Sequence, residues 1–464
     1  MNINNEIILT PPRYYTFERK EWYLLYDPDN VIWIRLNKDG IKIIELIKEL
    51  KMFNLIIPIL VREYPNHSEE EIIEKFKLFI ECLISIGFLH LREFKRRTIT
   101  HFSQEVPSEI YLAMTYKCNL KCKYCYNIKD REKLNRENRH LYLDGDQYKR
   151  LIDEAKQLGI KKFILTGGEP LLNSITIEIG NYLQKKGLEA ELITNALLIN
   201  KDNAERIAKN FNIISVSLDS TNKEMHEVMR GKGTFEKVIH TLTLLKTYGA
   251  QIRINSVITK ANVNNLFNTW KEVLENFGCS YFTPSLYVPH TNNPEIYSKF
   301  LPSLNDLIEE QDKIRGYSKN KLGIAVKPAN IRFSCGIANG EISIGPEGLV
   351  YPCHTLHKPE FVCGNIKRQD LKEILKNSEI IQRLRKFNVN EIEICKECDF
   401  KYLCGGGCLA MNYNVNKNLY SPVTFYCNYI KQEQIERMWT SASVSPSEIK
   451  DLEGHYFKDT DCTV

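Results

Sequence analysis

The sequence predicts an α/β chain whose middle is a partial barrel of six strand–helix units. Three observations carry that prediction. Six short apolar stretches, 110–116, 161–166, 191–195, 213–219, 251–258 and 280–288, are separated by segments with helical spacing of apolar residues, such as 235–248 and 266–277. Six units fall short of the eight that close a barrel, so a gap is left that would admit a substrate larger than a metabolite. The 14 cysteines are clustered, at 118–125 and again from 335 to 427, rather than scattered as packing residues would be.

Composition sets the frame. With 464 residues, 43% hydrophobic and 26% charged, the chain has apolar mass for several cores, roughly three domains. Lys plus Arg total 63 against 58 Asp plus Glu, too small an excess to attract nucleic acid over the whole surface. No apolar run approaches the roughly 18 residues of a membrane span; the best candidate, 53–60, contains Pro58. The first twenty residues carry Glu6 and two prolines where a secretory signal needs an unbroken apolar run. A cytoplasmic chain is therefore expected, with neither membrane nor nucleic acid as partner. In that reducing compartment, metal ligation or catalysis is the default reading of clustered cysteines.

Taken in order, residues 31–36 alternate like a strand, 39–50 have helical periodicity, and Ser68 with Glu71 forms a capping box that opens a helix to about Ile86. Ile86-Gly-Phe-Leu-His90 then reads as a helix stop and a short strand. This order resembles the PqqD-like domains that recognise leader peptides (RREs), small folds of winged-helix shape, and implies such a domain over 1–98. The physical mode would be pairing of a leader strand with an exposed sheet edge. Lys95-Arg-Arg97 reads as a solvated linker.

Cys118, Cys122 and Cys125 have the spacing CxxxCxxC and follow the end of the first barrel strand, where parallel α/β folds bind ligands. Three thiolates so close can hold three irons of a [4Fe–4S] cube; a zinc knuckle is the alternative. With Tyr124 just before the last cysteine, the motif resembles that of the radical S-adenosylmethionine (SAM) enzymes. That resemblance implies an open iron that chelates SAM, whose cleavage yields a 5'-deoxyadenosyl radical. It extends along a partial barrel at 106–310. Gly167-Gly168-Glu169 matches the family's GGE motif, where glycines permit close backbone approach and the carboxylate can accept hydrogen bonds from an ammonium group. Thr194-Asn195-Ala196 stands where relatives carry Thr-Asn-Gly, which leaves the backbone shape there open. By resemblance Ser217 and Asp219 lie near the sugar and carboxylate of SAM; helix capping is their plain alternative. Arg230 matches an arginine suited to an anion, or is a solvated loop residue.

Downstream, Cys335 and Cys353 flank Gly348, and Cys395, Cys398, Cys404, Cys408 and Cys427 follow. Spacing alone leaves zinc or iron and sulfur open. The array resembles the SPASM extension of radical SAM enzymes, here 311–440, which implies two auxiliary [4Fe–4S] clusters and three in all. In that pattern Cys395, Cys398, Cys404 and Cys427 close one cluster, and Cys335, Cys353 and Cys408 serve the other. Family members with a full ligand set have an eighth cysteine upstream, where this chain has Ala329, Asn330 and Ile331. The inner cluster then has an open iron, filled by Cys363 or by a substrate thiolate. Cys82, Cys279 and Cys462 have no partners by spacing. Residues 441–464 read as a tail.

The whole is similar to the maturases of ribosomally made peptides. A leader-binding domain beside an open auxiliary cluster fits best with thioether formation, as in sactipeptide and ranthipeptide synthases. A precursor peptide and an electron donor such as flavodoxin or ferredoxin are the implied partners. Carbon–carbon crosslinking or another oxidative maturation, formylglycine formation on sulfatases, and a zinc-stabilised peptide-binding protein are the alternatives. No substrate acid or base stands out in the sequence.

Overall fold

The computed structural model describes residues 7–93, 105–125, 132–134, 136–137, 139–321 and 331–440. The expected linker at 95–97, Ala329, Asn330, the tail and Cys462 lie outside them.

The N-terminal unit pairs β1 (Leu9–Thr10) with β5 (His90–Leu91) and builds an antiparallel sheet from β2 (Tyr15–Arg19), β3 (Trp22–Asp27) and β4 (Ile32–Leu36). Three helices follow, Lys38–Leu50, Phe53–Glu63 and Glu69–Ser85. Asn37 caps the first by accepting from the Gly40 amide at 2.8 Å. The Ser68–Glu71 capping box opens the third, with both reciprocal hydrogen bonds present. The helix Phe53–Glu63 runs through Pro58, its sixth residue of eleven, which forgoes one rung of the hydrogen-bond ladder.

Alternation along β3 and β4 gives this sheet two apolar faces. Leu25, Ile32, Ile34 and Leu36 pack on the unit's own helices. Leu24, Tyr26, Val31 and Trp33 pack instead on Phe400, Leu403, Met438 and Trp439 of the C-terminal region. The Tyr26 hydroxyl donates to the Asp399 carbonyl at 2.8 Å, and Arg13 and Tyr15 reach the Asp399 carboxylate.

The barrel strands β6 (Glu109–Thr115), β7 (Lys162–Gly167), β8 (Glu189–Thr194), β9 (Ile213–Ser217), β10 (Ile252–Ile258) and β11 (Tyr281–Leu286) run parallel in chain order. Ile110, Leu112 and Met114 point to the surrounding helices and share a core with Leu151 and Ile152. The opposite face is polar near the strand starts. Lys162 meets Glu109 at 2.9 Å and Glu191 at 3.5 Å, and Glu191 also accepts from Ser215 and Arg253. These pairs set opposite charges against one another at the barrel floor. The outer strand β11 is largely exposed, so the barrel is open along that flank.

The sheet does not stop at β6. The hairpin β12 (Glu341–Ile344) and β13 (Leu349–Tyr351), turning at Gly348 with φ +91°, adds β12 parallel to β6, and β14 (Gly364–Asn365) follows β13. One nine-stranded sheet results. The helix Leu304–Lys321 spans the 310/311 junction. Among the described residues no helix is long and apolar enough to cross a membrane.

Trp33, 5% exposed between two regions far apart in sequence, offers a direct test of this docking. Trp33→Ala should lower stability by about 3–5 kcal/mol in urea unfolding. An unchanged midpoint would mean that the two regions do not pack as described.

Candidate functional site

The site begins at the C-terminal end of β6. Backbone hydrogen bonds run from Gly168 to the Thr115 carbonyl at 2.7 Å and from Glu169 to the Lys117 carbonyl at 2.8 Å. An added Cβ would lie 2.3 Å from the Thr115 oxygen at Gly167, and 2.1 Å from the Lys117 oxygen at Gly168. The chain entering the cysteine loop thus rests directly on the Gly-Gly backbone, and no side chain fits between.

Cys118, Cys122 and Cys125 are partly exposed in that loop. Burial pushes the Cys122 thiol up to about 11; Arg230 lowers it, while Asp219 and the two sister thiolates add to the rise. Two anchors fix the loop. Lys123 donates to the Met229 carbonyl at 2.9 Å, and the Tyr124 hydroxyl donates to Asp219 at 2.7 Å.

Asp219 is fully buried, and Arg230 grips it through Nε and a terminal nitrogen, both at 2.8 Å. The guanidinium also lies 5.4 Å from the Tyr124 ring centroid. The anion that Arg230 holds in this structure is therefore Asp219. The carboxylate further accepts from the Val257 amide. Its main-chain carbonyl receives Asn262 and Ser256.

Glu169 is 1% exposed and accepts from the Thr194 hydroxyl at 2.7 Å, the Asn195 amide at 2.8 Å and the Leu171 amide at 3.2 Å. Burial pushes its carboxyl up to about 7 despite those donors. Asn195 in turn donates to Asn119 at 2.7 Å, inside the cysteine loop. Ala196 adopts φ +67°, the left-handed shape a glycine would favour, with its methyl fully buried. Ser217 ends β9, half-buried.

The second array divides in space. Cys395, Cys398, Cys404 and Cys427 line one pocket with Gly406, Gly407 and Val423. Burial raises the Cys404 thiol to about 12, with Cys427, Cys395 and Cys398 adding to it. Cys335, Cys353 and Cys408 form the other group. Burial raises Cys408 to about 12, and Cys335 and Glu341 contribute. Cys363 directs its sulfur to the Phe361 carbonyl at 3.4 Å. Cys279 and Cys82 are buried.

Between the two regions runs a buried polar chain absent from the sequence reading. The Tyr116 hydroxyl meets His357 Nδ1 at 2.9 Å and Glu347 at 3.2 Å, and His357 Nε2 meets the Ser343 hydroxyl at 2.8 Å. Burial pushes His357 down to about 3, so it is neutral at pH 7. Tyr116 and Ser343 flank β6 and β12, which no local pattern relates. Glu341 and His354 were missed too, although each lies within six residues of a cluster cysteine.

Grouped thiols at the C-terminal end of a parallel sheet, with a separate four-thiol pocket, are donor sets that could hold iron–sulfur clusters on an open barrel. Residues 112–263 match the radical SAM superfamily, and residues 335–399 match the iron–sulfur cluster-binding domain SPASM. The chain thus carries a radical SAM domain followed by a SPASM domain, and these imply SAM and [4Fe–4S] clusters as cofactors. The antilisterial bacteriocin subtilosin biosynthesis protein AlbA of Bacillus subtilis is 28% identical over 74% of this chain and 76% of its own. The AdoMet-dependent heme synthase of Methanosarcina barkeri is 27% identical over 70% and 97%. The fold is similar to that of Streptococcus suis SuiB bound to its precursor peptide SuiA, with TM-score 0.56 and 17% identity over 88% of this chain and 95% of that one.

Two predictions test the geometry. Gly168→Ala should displace the cysteine loop and reduce bound iron by about four per chain; a full iron complement would refute the backbone contact. Below about pH 4.5 Glu169 is protonated in both folded and unfolded chains. Between there and about 7 only the folded chain keeps the proton, so stability falls as pH rises through that window. Relative to Glu169→Gln, the loss should be on the order of 3 kcal/mol, measured by urea unfolding at both ends. Parallel pH profiles would contradict it.

Proposed function

We propose that this chain modifies a ribosomally made precursor peptide, forming a thioether between a cysteine sulfur and a carbon of an acceptor residue. The observation that carries the reading is the barrel's open flank at β11, which leaves the polar lumen accessible to a chain-like substrate. The likeness to a bacteriocin biosynthesis protein and to a structure solved with a precursor peptide supports it. The exposed edge strand β2 is where we place pairing with a leader peptide.

We assign the radical SAM cluster to Cys118, Cys122 and Cys125, the outer auxiliary cluster to Cys395, Cys398, Cys404 and Cys427, and the inner one to Cys335, Cys353 and Cys408. When bound, these cofactors would supply the electron and the deoxyadenosyl radical that takes one hydrogen atom from the acceptor carbon, and an auxiliary cluster would accept the electron released as the deprotonated cysteine sulfur bonds to that carbon. The protein's own task is placement and exclusion of water. Gly167 and Gly168 bring backbone close to the cysteine loop. Thr194, Asn195 and Ser217 sit at neighbouring strand ends and form the surface assigned to SAM. Glu169, Asp219, Arg230 and Tyr124 shape that surface from beneath, their polar atoms paired with one another, with the Thr194 hydroxyl or with backbone. Flavodoxin or ferredoxin would deliver electrons in the cytoplasm, where the thiols stay reduced.

Mass spectrometry tests this, after anaerobic incubation of the reconstituted enzyme with SAM, reductant and the small peptide encoded beside it. Cys118→Ala is the inactive control. The expected product has lost two hydrogens per site, and its cysteines no longer alkylate. Hydrogen loss with all thiols free would replace thioether formation by carbon–carbon crosslinking. Release of 5'-deoxyadenosine with an unchanged peptide would overturn the substrate and leave the radical chemistry standing.

A further inference from the structure

The inner group supplies three thiolates, one fewer than the irons of a cubane. Cys363 is turned to the Phe361 carbonyl and to Ser378. A different side chain is poised at the trio. Glu341, the first residue of β12, stands across the antiparallel hairpin from Cys353, two positions beyond the Ser343–Tyr351 pair. A carboxylate oxygen of Glu341, the Cys353 sulfur and His354 Nδ1 all lie within 4.8 Å of one another. Its charge also adds to the rise that burial gives the Cys335 and Cys408 thiols.

Glu341 is held in place. His354 approaches it through Nδ1 at 2.9 Å and through its amide at 3.3 Å. The imidazole is itself stacked on Tyr111 of β6, with centroids 4.3 Å apart and planes at 18°. A carboxylate held by His354 beside the Cys353 sulfur of the trio is the kind of supported arrangement that a metal ligand has, with an acid as the fourth donor.

We propose that Glu341 is the fourth protein ligand of the inner auxiliary cluster, with His354 as the residue that positions its carboxylate. The assignment rests on the two-cluster reading of the SPASM region. A carboxylate keeps the single negative charge of a thiolate but is the harder, weaker donor to iron. It therefore closes the iron against solvent and competes with any incoming thiolate.

The test uses the full chain with Cys118, Cys122 and Cys125 all replaced by alanine and reconstituted anaerobically, so that only the auxiliary clusters contribute. This parent should hold about eight irons. Its reduced EPR spectrum is followed during titration with 2-mercaptoethanol. Glu341→Gln should shift its spectrum at a thiolate concentration at least tenfold lower than the parent, and His354→Phe should fall between. Identical spectra and titrations at equal iron content would overturn the assignment. If Glu341→Gln drops to about four irons, restoration of eight by Glu341→Cys supports ligation, whereas loss in both variants assigns Glu341 a merely structural role. A parent with only four irons, or with zinc, would overturn the two-cluster reading itself and this assignment with it.

Discussion

Asp219 is a negative charge with no access to water, and most of the active-site end of the barrel is arranged to compensate it. Taking a carboxylate and a guanidinium out of water costs several kcal/mol per ion, recovered only when geometry and hydrogen bonding are complete. Here they are complete: two bonds from Arg230, one each from Tyr124 and the Val257 amide. Each donor comes from a different element. Tyr124 belongs to the cysteine loop, Arg230 ends the helix Lys223–Arg230, and Val257 lies on β10. The loop cannot shift without unpairing a buried charge, so a flexible CxxxCxxC segment gains the rigidity of the barrel.

The same economy joins the radical SAM and SPASM regions. Because β12 extends the barrel sheet beside β6, the C-terminal cysteines are positioned by strand register rather than by a linker. Cys353 follows β13 and Cys335 precedes β12, and the Ala338 amide, donating to the Pro352 carbonyl at 3.1 Å, ties the two flanking segments at the hairpin's open end. The neutral chain Tyr116–His357–Ser343 spans from the first cysteine loop to this hairpin through buried hydrogen bonds.

Much of this was legible in the sequence, and for identifiable reasons. The apolar stretches placed all six barrel strands within about two residues, and all but β11 bury residues against the helices. The Ser68–Glu71 box is local and declared its helix. Pairings between distant segments were not legible. Ser108 and Gly340 bond across 232 positions, and nothing in either neighbourhood specifies the other. The β2–β3 hairpin was also missed: β2 is largely exposed, while β3 is covered on both faces, by its own helices and by the C-terminal region, so neither shows a half-buried alternation. Arg230 reads as a surface residue by type, and only the fold reveals that its anion lies within the chain.

The thiols themselves complete the logic. Burial pushes the Cys122 and Cys395 thiols up to about 11 and Cys404 and Cys408 up to about 12, which favours their protonated form at neutral pH. Loading iron must displace those protons, and the energy of cluster binding is coupled to both pH and folding. A site built from thiols alone would be disordered until filled. Here the glycine run Gly405-Gly406-Gly407, with φ between +69° and +83°, sets the turn between Cys404 and Cys408 in advance, and the Gly-Gly step beneath Cys118 does the same for the first loop. The backbone bears the cost of organisation beforehand, so that cluster binding is left to displace protons rather than to fold the loops.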